Sequence, residues 1–293
     1  MIFRIGTRGS DLARWQARHV ADLLQRAHPQ LDVQLVIINT RGDQIINQPL
    51  PQIGGKGLFT QALENALYHG EIDCAVHSLK DLPTENPDGI QLGAIPPRGA
   101  VADVLVSLAG YTMDTLPKNA IVGTSSLRRA AQIKCLRPDI SIQDIRGNVP
   151  TRLQKAADYD AIVLAQAGLE RLNLTRHITQ ILTDLVPAPG QGALGVQCRE
   201  DDTFLSAIDD PITRLTVTAE RDFLKALGGG CAVPVGALST IDGDTLRLHG
   251  RINSVDGTQQ IDVFGQCAVS QVANLAQLLA TQAIQQGGKA LLG

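Results

Sequence analysis

Aromatic residues are scarce in this sequence, with one Trp, three Tyr and five Phe among 293 residues. Proteins that bind single-stranded nucleic acid stack bases on aromatic side chains beside a basic surface, and a net charge of -3 favours neither feature. The five cysteines show no C-x-x-C spacing and no neighbouring histidine pattern, which argues against a disulfide framework or a zinc site. We therefore expect no nucleic-acid partner and no metal.

Long apolar segments are also lacking. No run of about 18 apolar residues occurs, and the chain begins directly with strand-forming residues instead of a signal peptide. We therefore expect a cytoplasmic protein with no membrane association. The length and the 44% hydrophobic content indicate two or three domains with substantial cores.

Strand-forming and helix-forming segments alternate along most of the chain, a pattern typical of doubly wound α/β domains. Ser10 is the expected N-cap of the first helix, whose predicted apolar face includes Trp15, Leu24 and Ala27. A further strand is predicted over Gly192–Cys198, and it can return to the first domain. The sequence shows no internal repeat.

Proline-rich and glycine-rich breaks predict three domains, of residues 1–97 with 190–212, 98–189 and 213–293. The third is predicted to be a small α+β domain with three antiparallel strands. Its turns are expected at Asp242-Gly243 and Asp256-Gly257, and a helix over Val272–Ile284 is expected to cover the sheet.

Arginines cluster at two predicted strand-to-helix corners, at Arg128-Arg129 and at Arg146 with Arg152. A helix start offers backbone N–H groups to an anion, and arginine adds a planar, two-pronged donor. The alternative is a solvated basic helix face. Because two corners carry such pairs, we expect an anionic ligand.

Two further positions admit a chemical interpretation. Asp81 follows a predicted apolar strand, where ligands bind in open α/β sheets, and an acid there can stabilise a developing cation; the alternative is a turn or cap residue. Cys231 follows three glycines and has an open backbone around it; the alternative is a small buried apolar residue. Gly190–Gly195 matches a dinucleotide fingerprint as a string, but prolines precede it and a strand follows it.

Taken together, these motifs resemble the porphobilinogen deaminase family over nearly the whole chain. They are, in order, Arg4–Ser10, Gly54–Phe59, His77–Pro83, Gly123–Arg129, Arg146–Arg152, Gly190–Gly192 and Gly229–Cys231. The resemblance implies a transferase of tetrapyrrole biosynthesis that joins four porphobilinogen units head to tail, releases ammonia and hydrolyses off hydroxymethylbilane. It implies a covalent dipyrromethane cofactor, held by a thioether to Cys231, and a catalytic role for Asp81 in stabilising positive charge on pyrrole nitrogens.

The resemblance also implies the binding residues, the fold and a monomeric state. The cofactor is expected to contact Lys80, Asp81, Thr124, Ser126, Arg128, Arg129, Arg146, Gly147 and Cys231. The substrate is expected to contact Arg8, Ser10, Lys56, Phe59, Arg146, Arg152 and Arg171. The implied fold has two periplasmic-binding-protein-like (type II) domains with the active site between them, and a small α+β domain that carries the cysteine.

The sequence departs from the family pattern at Gln52, where some relatives have a lysine, and at Leu227-Gly228, where an acidic residue is common. Neither departure removes a predicted catalytic group. A non-catalytic anion-binding protein of the hinged two-domain type also explains the arginines, but not the cysteine loop. A nucleotide-dependent dehydrogenase is a third, more distant alternative.

Overall fold

The computed structural model of the protein describes residues 2–40, 60–228 and 233–292. The strands in these ranges are β1 (Ile2–Thr7), β2 (Asp32–Ile37), β3 (Cys74–Ser78), β4 (Ile90–Ala94), β5 (Asp103–Val106), β6 (Ile121–Gly123), β7 (Ser141–Gln143), β8 (Ala161–Ala165), β9 (Gln180–Leu182), β10 (Leu194–Arg199), β11 (Val235–Asp242), β12 (Thr245–Asn253) and β13 (Gln260–Ala268). The α-helices are α1 (Asp11–Ala27), α2 (Gln61–Tyr68), α3 (Leu127–Leu136), α4 (Val149–Lys155), α5 (Gln166–Arg171), α6 (Pro211–Ala226), α7 (Val272–Gln285) and α8 (Gly288–Leu292).

The chain divides into two compact units, Met1–Gly99 with Ala193–Arg214, and Ala100–Gly192 with Leu215–Gly293. The sheet of the first unit has the order β2-β1-β3-β10-β4. β1 is parallel to β2 and β3, whereas β10 is antiparallel to β3 and β4. The strand predicted over Gly192–Cys198 is therefore β10, and it returns to the first sheet.

The second unit contains a sheet of the same design, with the order β7-β6-β8-β5-β9. β6 is parallel to β7 and β8, whereas β5 is antiparallel to β8 and β9. Each sheet thus has three adjacent parallel strands, followed by one antiparallel strand and then by an edge strand, which is β4 in the first sheet and β9 in the second. This arrangement confirms the predicted doubly wound, type II fold class.

A three-stranded antiparallel sheet, β11-β12-β13, completes the second unit. Its hairpins turn at Gly243 and Gly257, whose φ angles of 56° and 76° favour glycine, so both predicted turns are confirmed. α6 and α7 contribute Phe223, Leu275 and Leu279 to the core over this sheet. The predicted covering helix is α7.

The first helix buries a different face from the predicted one. Ala13, Ala17 and Leu24 are buried, whereas Trp15 is half-buried and Ala27 is exposed. The prediction left out Ala13 and Ala17, whose small side chains let the helix backbone approach the sheet closely. The predicted face was therefore wrong at Trp15 and Ala27 and right at Leu24.

Candidate functional site

In the first unit, four of the predicted site residues lie at one edge of the sheet. Because β1 and β3 are parallel neighbours, their carboxyl ends meet at that edge. Arg8 and Ser10 follow β1, and Lys80 and Asp81 follow β3. Burial, and then the charge of Arg8, lower the pKa of His77 in β3 to about 4. The parallel register of β1 and β3 places Arg8 near the end of β3, beside the segment that carries Asp81.

Asp81 ends a short 3-10 turn, Leu79–Asp81, directly after β3. Its side chain is exposed, and it makes no hydrogen bond or ion pair with any residue that the structure describes. Asp73, by contrast, pairs with Arg4 at 3.0 Å. Within the described ranges the Asp81 carboxylate is thus available to a ligand, as its predicted role requires.

Ser10 has a structural task at this edge. It is the N-cap of α1, and its Oγ accepts a hydrogen bond from the Ala13 backbone N–H at 3.3 Å. A hydroxyl that accepts in this way still has its O–H to donate. Capping and carboxylate binding are therefore compatible at Ser10.

In the second unit, β6, β7 and β8 are parallel and end at one edge. Thr124 follows β6, and its backbone N–H donates to Gln143 O at 2.9 Å. Its Oγ1 accepts from the Ser126 backbone N–H at 3.2 Å, and Ser126 Oγ in turn accepts from the Arg129 backbone N–H at 3.4 Å. These bonds fix the start of α3, which places Arg128 and Arg129 in its first turn.

Arg128 and Arg129 are buried with an acidic partner that the sequence analysis missed. Their side chains are 4% and 6% exposed, and both pair with Asp103, which is 0% exposed. Burial alone would raise the pKa of Asp103, but the two guanidinium groups outweigh it and hold that pKa below its usual range. Two cations and one anion leave the cluster with a net charge of about +1.

The signal for Asp103 in the sequence is weak. Asp103 is the first residue of β5, whose other residues are apolar. A charged residue in a fully buried strand requires a partner. Gln191, within the Gly190–Gly192 motif, is also 0% exposed, and its Nε2 donates to Asp103 Oδ1 at 2.9 Å. The motif read as a dinucleotide fingerprint therefore supports the arginine cluster from inside the unit.

The second arginine corner is a loop between β7 and α4. Gly147 has a φ of 121°, and a Cβ there would lie 2.6 Å from Thr151 Cγ2, so glycine is required. Arg152 Nε donates to Gly147 O at 2.8 Å. Arg146 is half-buried, and its guanidinium makes no hydrogen bond or ion pair within residues 2–40, 60–228 and 233–292. Of these two arginines, Arg146 has the more available side chain.

Arg171 lies at the end of α5 and is bound internally. Its Nη2 donates to Gly192 O at 2.7 Å. Burial lowers the pKa of Arg171 to about 10. This arginine therefore supports the Gly190–Gly192 segment.

Three predicted site residues, Lys56, Phe59 and Cys231, lie outside the described residues, as does Gln52. The described cysteines, Cys74, Cys135, Cys198 and Cys267, are free thiols. Burial raises the pKa of Cys74 well above its usual value and that of Cys198 to about 11. These two buried thiols are therefore poor nucleophiles.

The described ranges show neither a metal-binding cluster nor a membrane-spanning helix. No cluster of three or more His, Cys, Asp or Glu side chains there is arranged to hold a metal ion. None of the helices described has the length and apolar character to span a membrane. The arginines and the exposed aspartate remain the chemistry to be explained.

Comparison with known proteins accounts for both units. The model of the "Porphobilinogen deaminase, dipyromethane cofactor binding domain" matches residues 3–207, and that of the "Porphobilinogen deaminase, C-terminal domain" matches residues 214–285. Among solved structures, the methionine binding protein MetQ has a TM-score of 0.45 at 12% identity, covering 73% of this chain and 92% of its own.

Curated relatives match along nearly the full length. Porphobilinogen deaminase of Roseiflexus castenholzii is 48% identical, over 98% of this chain and 97% of its own. The enzyme of Syntrophomonas wolfei is 46% identical, over 99% and 97%, and that of Moorella thermoacetica is 50% identical, over 88% and 85%. The chain therefore belongs to the porphobilinogen deaminase family of transferases and has that family's dipyrromethane cofactor binding domain.

Proposed function

We propose that the residues at the two sheet edges carry out the synthesis of hydroxymethylbilane. Four porphobilinogen molecules are deaminated and joined head to tail, and the linear product is released by hydrolysis. The observation that carries this proposal is Asp81, an exposed carboxylate at the carboxyl end of β3 with no partner in the described part of the chain. It stands within the His77–Pro83 motif that resembles the family.

The arginines bind the carboxylates of the substrate. Each porphobilinogen carries an acetate and a propionate, so the growing chain becomes steadily more anionic. Arg146 offers a guanidinium with no partner among the described residues, and the cluster around Asp103 carries an excess positive charge. Arginine binds a carboxylate through two parallel hydrogen bonds, which orients the ring that bears it. Arg8, Ser10, Arg152 and Arg171, with Lys56 and Phe59, complete the proposed substrate contacts.

Asp81 stabilises the positive charge that develops on pyrrole nitrogens during deamination and coupling. A fixed carboxylate that is in place before the reaction contributes about 3–4 kcal/mol to the transition state when it is well aimed. The short turn Leu79–Asp81 holds the residue directly after the end of β3. This supports a catalytic role for Asp81 and a binding role for its neighbour Lys80.

The described residues fit the covalent dipyrromethane. Arg128 Nε is buried and has no hydrogen-bond partner, as expected of a group that awaits a ligand oxygen. Thr124, Ser126 and Gly147 lie at the same sheet edge. When bound through Cys231, the dipyrromethane supplies the primer to which substrate units are added. The residues predicted to hold its carboxylates are Arg128, Arg129, Arg146 and Lys80.

The proposal includes a cytoplasmic monomer with no nucleic-acid or membrane partner. The free thiols of the described cysteines fit a reducing compartment. Three domains, of residues 1–97 with 190–212, 98–189 and 213–293, remain our division of the chain. Gel filtration with light scattering would check the oligomeric state.

Asp81→Asn tests the catalytic role, because it is nearly isosteric but uncharged. We expect the turnover rate to fall by about 100-fold or more, with the thermal transition and the cofactor mass retained. Asp88→Asn is the matched control, since Asp88 is another exposed aspartate of the same unit. Near-normal turnover by Asp81→Asn would remove the assigned role.

The mass of the intact, denatured chain tests the reaction class. Wild-type protein is expected to exceed the polypeptide mass by one dipyrromethane, and Cys231→Ser is expected not to. If wild type has the bare mass even after incubation with porphobilinogen or hydroxymethylbilane, the chain is an anion-binding protein and Asp81 has no catalytic role.

A further inference from the structure

Asp103 is the centre of a buried hydrogen-bond cluster in the second unit. Its Oδ2 accepts from Arg128 Nη1 at 2.6 Å. Its Oδ1 accepts from Arg129 Nε at 2.9 Å, from Arg129 Nη2 at 2.7 Å and from Gln191 Nε2 at 2.9 Å. A carboxylate that accepts four hydrogen bonds in a dry interior fixes the position of every donor around it.

The two arginines use this carboxylate differently. All three nitrogens of the Arg129 guanidinium are engaged, because Nη1 also donates to Val163 O at 3.1 Å. Arg128 is held by Nη1 alone, which donates to Asp103 and to Val186 O at 2.8 Å. Arg128 Nε is buried without a partner, and Nη2 has none among the residues described. All the guanidinium nitrogens of Arg129 thus have acceptors inside the protein, whereas two of those of Arg128 have none among the described residues.

The unused nitrogens of Arg128 form a single recognition edge. Nε and Nη2 are adjacent on the guanidinium plane and present two parallel N–H groups, which match the two oxygens of a carboxylate. A buried N–H without an acceptor is costly, and the cluster around it has a net charge of about +1. One carboxylate at this edge would satisfy both donors and neutralise the cluster.

We propose that Asp103 is a positioning residue that turns the Nε–Nη2 edge of Arg128 toward one carboxylate of the dipyrromethane. In this arrangement Arg128 contacts the dipyrromethane carboxylate. Arg129 does not contact it, and instead holds the Asp103 carboxylate in place. This inference rests on the proposed function, since it concerns the same cofactor. It changes the expected role of Arg129 from a binding residue to a positioning residue.

The experiment measures how fast unloaded protein acquires the cofactor. Chains are produced in cells that make no porphobilinogen, then incubated with hydroxymethylbilane, and the loaded fraction is followed by intact mass. The variants are Arg128→Lys, which keeps the charge but loses the two-pronged edge, Asp103→Asn, and the double variant. Circular dichroism and thermal unfolding establish that each variant is folded.

Asp139→Asn is the matched control. Asp139 accepts from Arg137 Nε and Nη2 at 2.8 and 2.7 Å, in an aspartate–arginine pair at the other end of α3. This pair lies outside the proposed site, so we expect the control to load at the wild-type rate. A general loss of stability from breaking such a pair is thereby separated from a loss of positioning.

We expect Arg128→Lys and Asp103→Asn each to slow loading about tenfold or more, and the double variant to load no more slowly than Arg128→Lys. A purely structural role predicts that folded Asp103→Asn loads at the wild-type rate, and that result would overturn the inference. The inference would also be overturned if the double variant loaded more slowly than Arg128→Lys by the full factor that Asp103→Asn shows alone.

Two further outcomes are decisive. If Asp103→Asn does not fold, Arg128→Lys still tests the Nε–Nη2 edge, and loading at the wild-type rate would overturn the inference. If wild-type protein itself gains no mass, the proposed function fails and the inference fails with it. Loading of wild type together with equal loading of the folded variants would overturn the inference alone.

Discussion

Glu220 in α6 attaches the C-terminal sheet to the Gly190–Gly192 segment, and its replacement by alanine is an informative perturbation. The side chain is fully buried, Oε2 accepts from the Gly190 backbone N–H at 2.8 Å, and Oε1 accepts from the Ser239 backbone N–H at 2.8 Å. Ser239 lies in β11, the edge strand of that sheet. Glu220 thus supplies an acceptor for an outward-facing N–H of this edge strand. It also joins α6 to β11, the two elements that precede and follow Cys231 in the sequence.

The expected loss follows from these two bonds. A hydrogen bond to a charged group contributes about 1.5–3 kcal/mol, and alanine would leave two buried N–H groups without an acceptor. We therefore expect Glu220→Ala to lower the free energy of unfolding of the second unit by about 3–6 kcal/mol. This is a large fraction of the roughly 5–15 kcal/mol that stabilises a typical domain. Glu220→Gln keeps one acceptor oxygen and should lose about half as much.

Urea unfolding with amide hydrogen exchange would measure this loss. Glu170→Ala serves as the control, because Glu170 is exposed and its Oε1 accepts a hydrogen bond from Gln166 Nε2 on its own helix. We expect a change below about 0.5 kcal/mol for the control. In Glu220→Ala, exchange of the Ser239 and Gly190 amides should accelerate. A free energy within about 1 kcal/mol of wild type, with both amides still protected, would refute the reasoning.

Arg146→Gln should raise the KM for porphobilinogen about tenfold or more, because it removes a guanidinium that has no partner among the described residues. Its thermal transition should stay within about 1 °C of wild type, and an unchanged KM would contradict its binding role. His77 predicts a pH dependence of stability, since burial and then the Arg8 charge lower its pKa from 6.5 to about 4. Between pH 4 and pH 6.5, His77 binds a proton in the unfolded chain but not in the folded chain. The free energy of unfolding therefore falls as the pH falls from about 6.5 to 4. The expected loss is on the order of 3 kcal/mol, and urea unfolding of His77→Gln should show a correspondingly flatter profile.

Local chemistry in the sequence was sufficient for much of the fold. Ser10 was placed at a helix start, and it accepts the capping hydrogen bond there. Gly243 and Gly257 were placed in hairpin turns, and both have positive φ angles. These predictions succeed because a cap or a tight turn depends on residues within three or four positions of each other. The family motifs have the same local character.

Contacts between distant segments were not predictable in this way. Asp103 meets Arg128 and Arg129 because β5 is inserted antiparallel beside β8, a placement that no periodicity specifies. The face of α1 was misjudged for a related reason, since the closeness of a helix to a sheet depends on both partners. The shared design of the two five-stranded sheets also left no repeat in the sequence, because many apolar residues satisfy the same buried strand.

The sequence by itself therefore determined our prediction of the residues that carry the chemistry. Asp81 and the arginines were chosen by residue type and by their place after a predicted strand, and Cys231 by the glycines before it. Only the tertiary structure decided how the arginines are used. It bound Arg129 and Arg171 to internal acceptors and left Nε and Nη2 of Arg128 without an acceptor among the described residues. The physical reason is that a guanidinium has several donors, and which of them remain for a ligand depends on acceptors that folding brings from elsewhere in the chain.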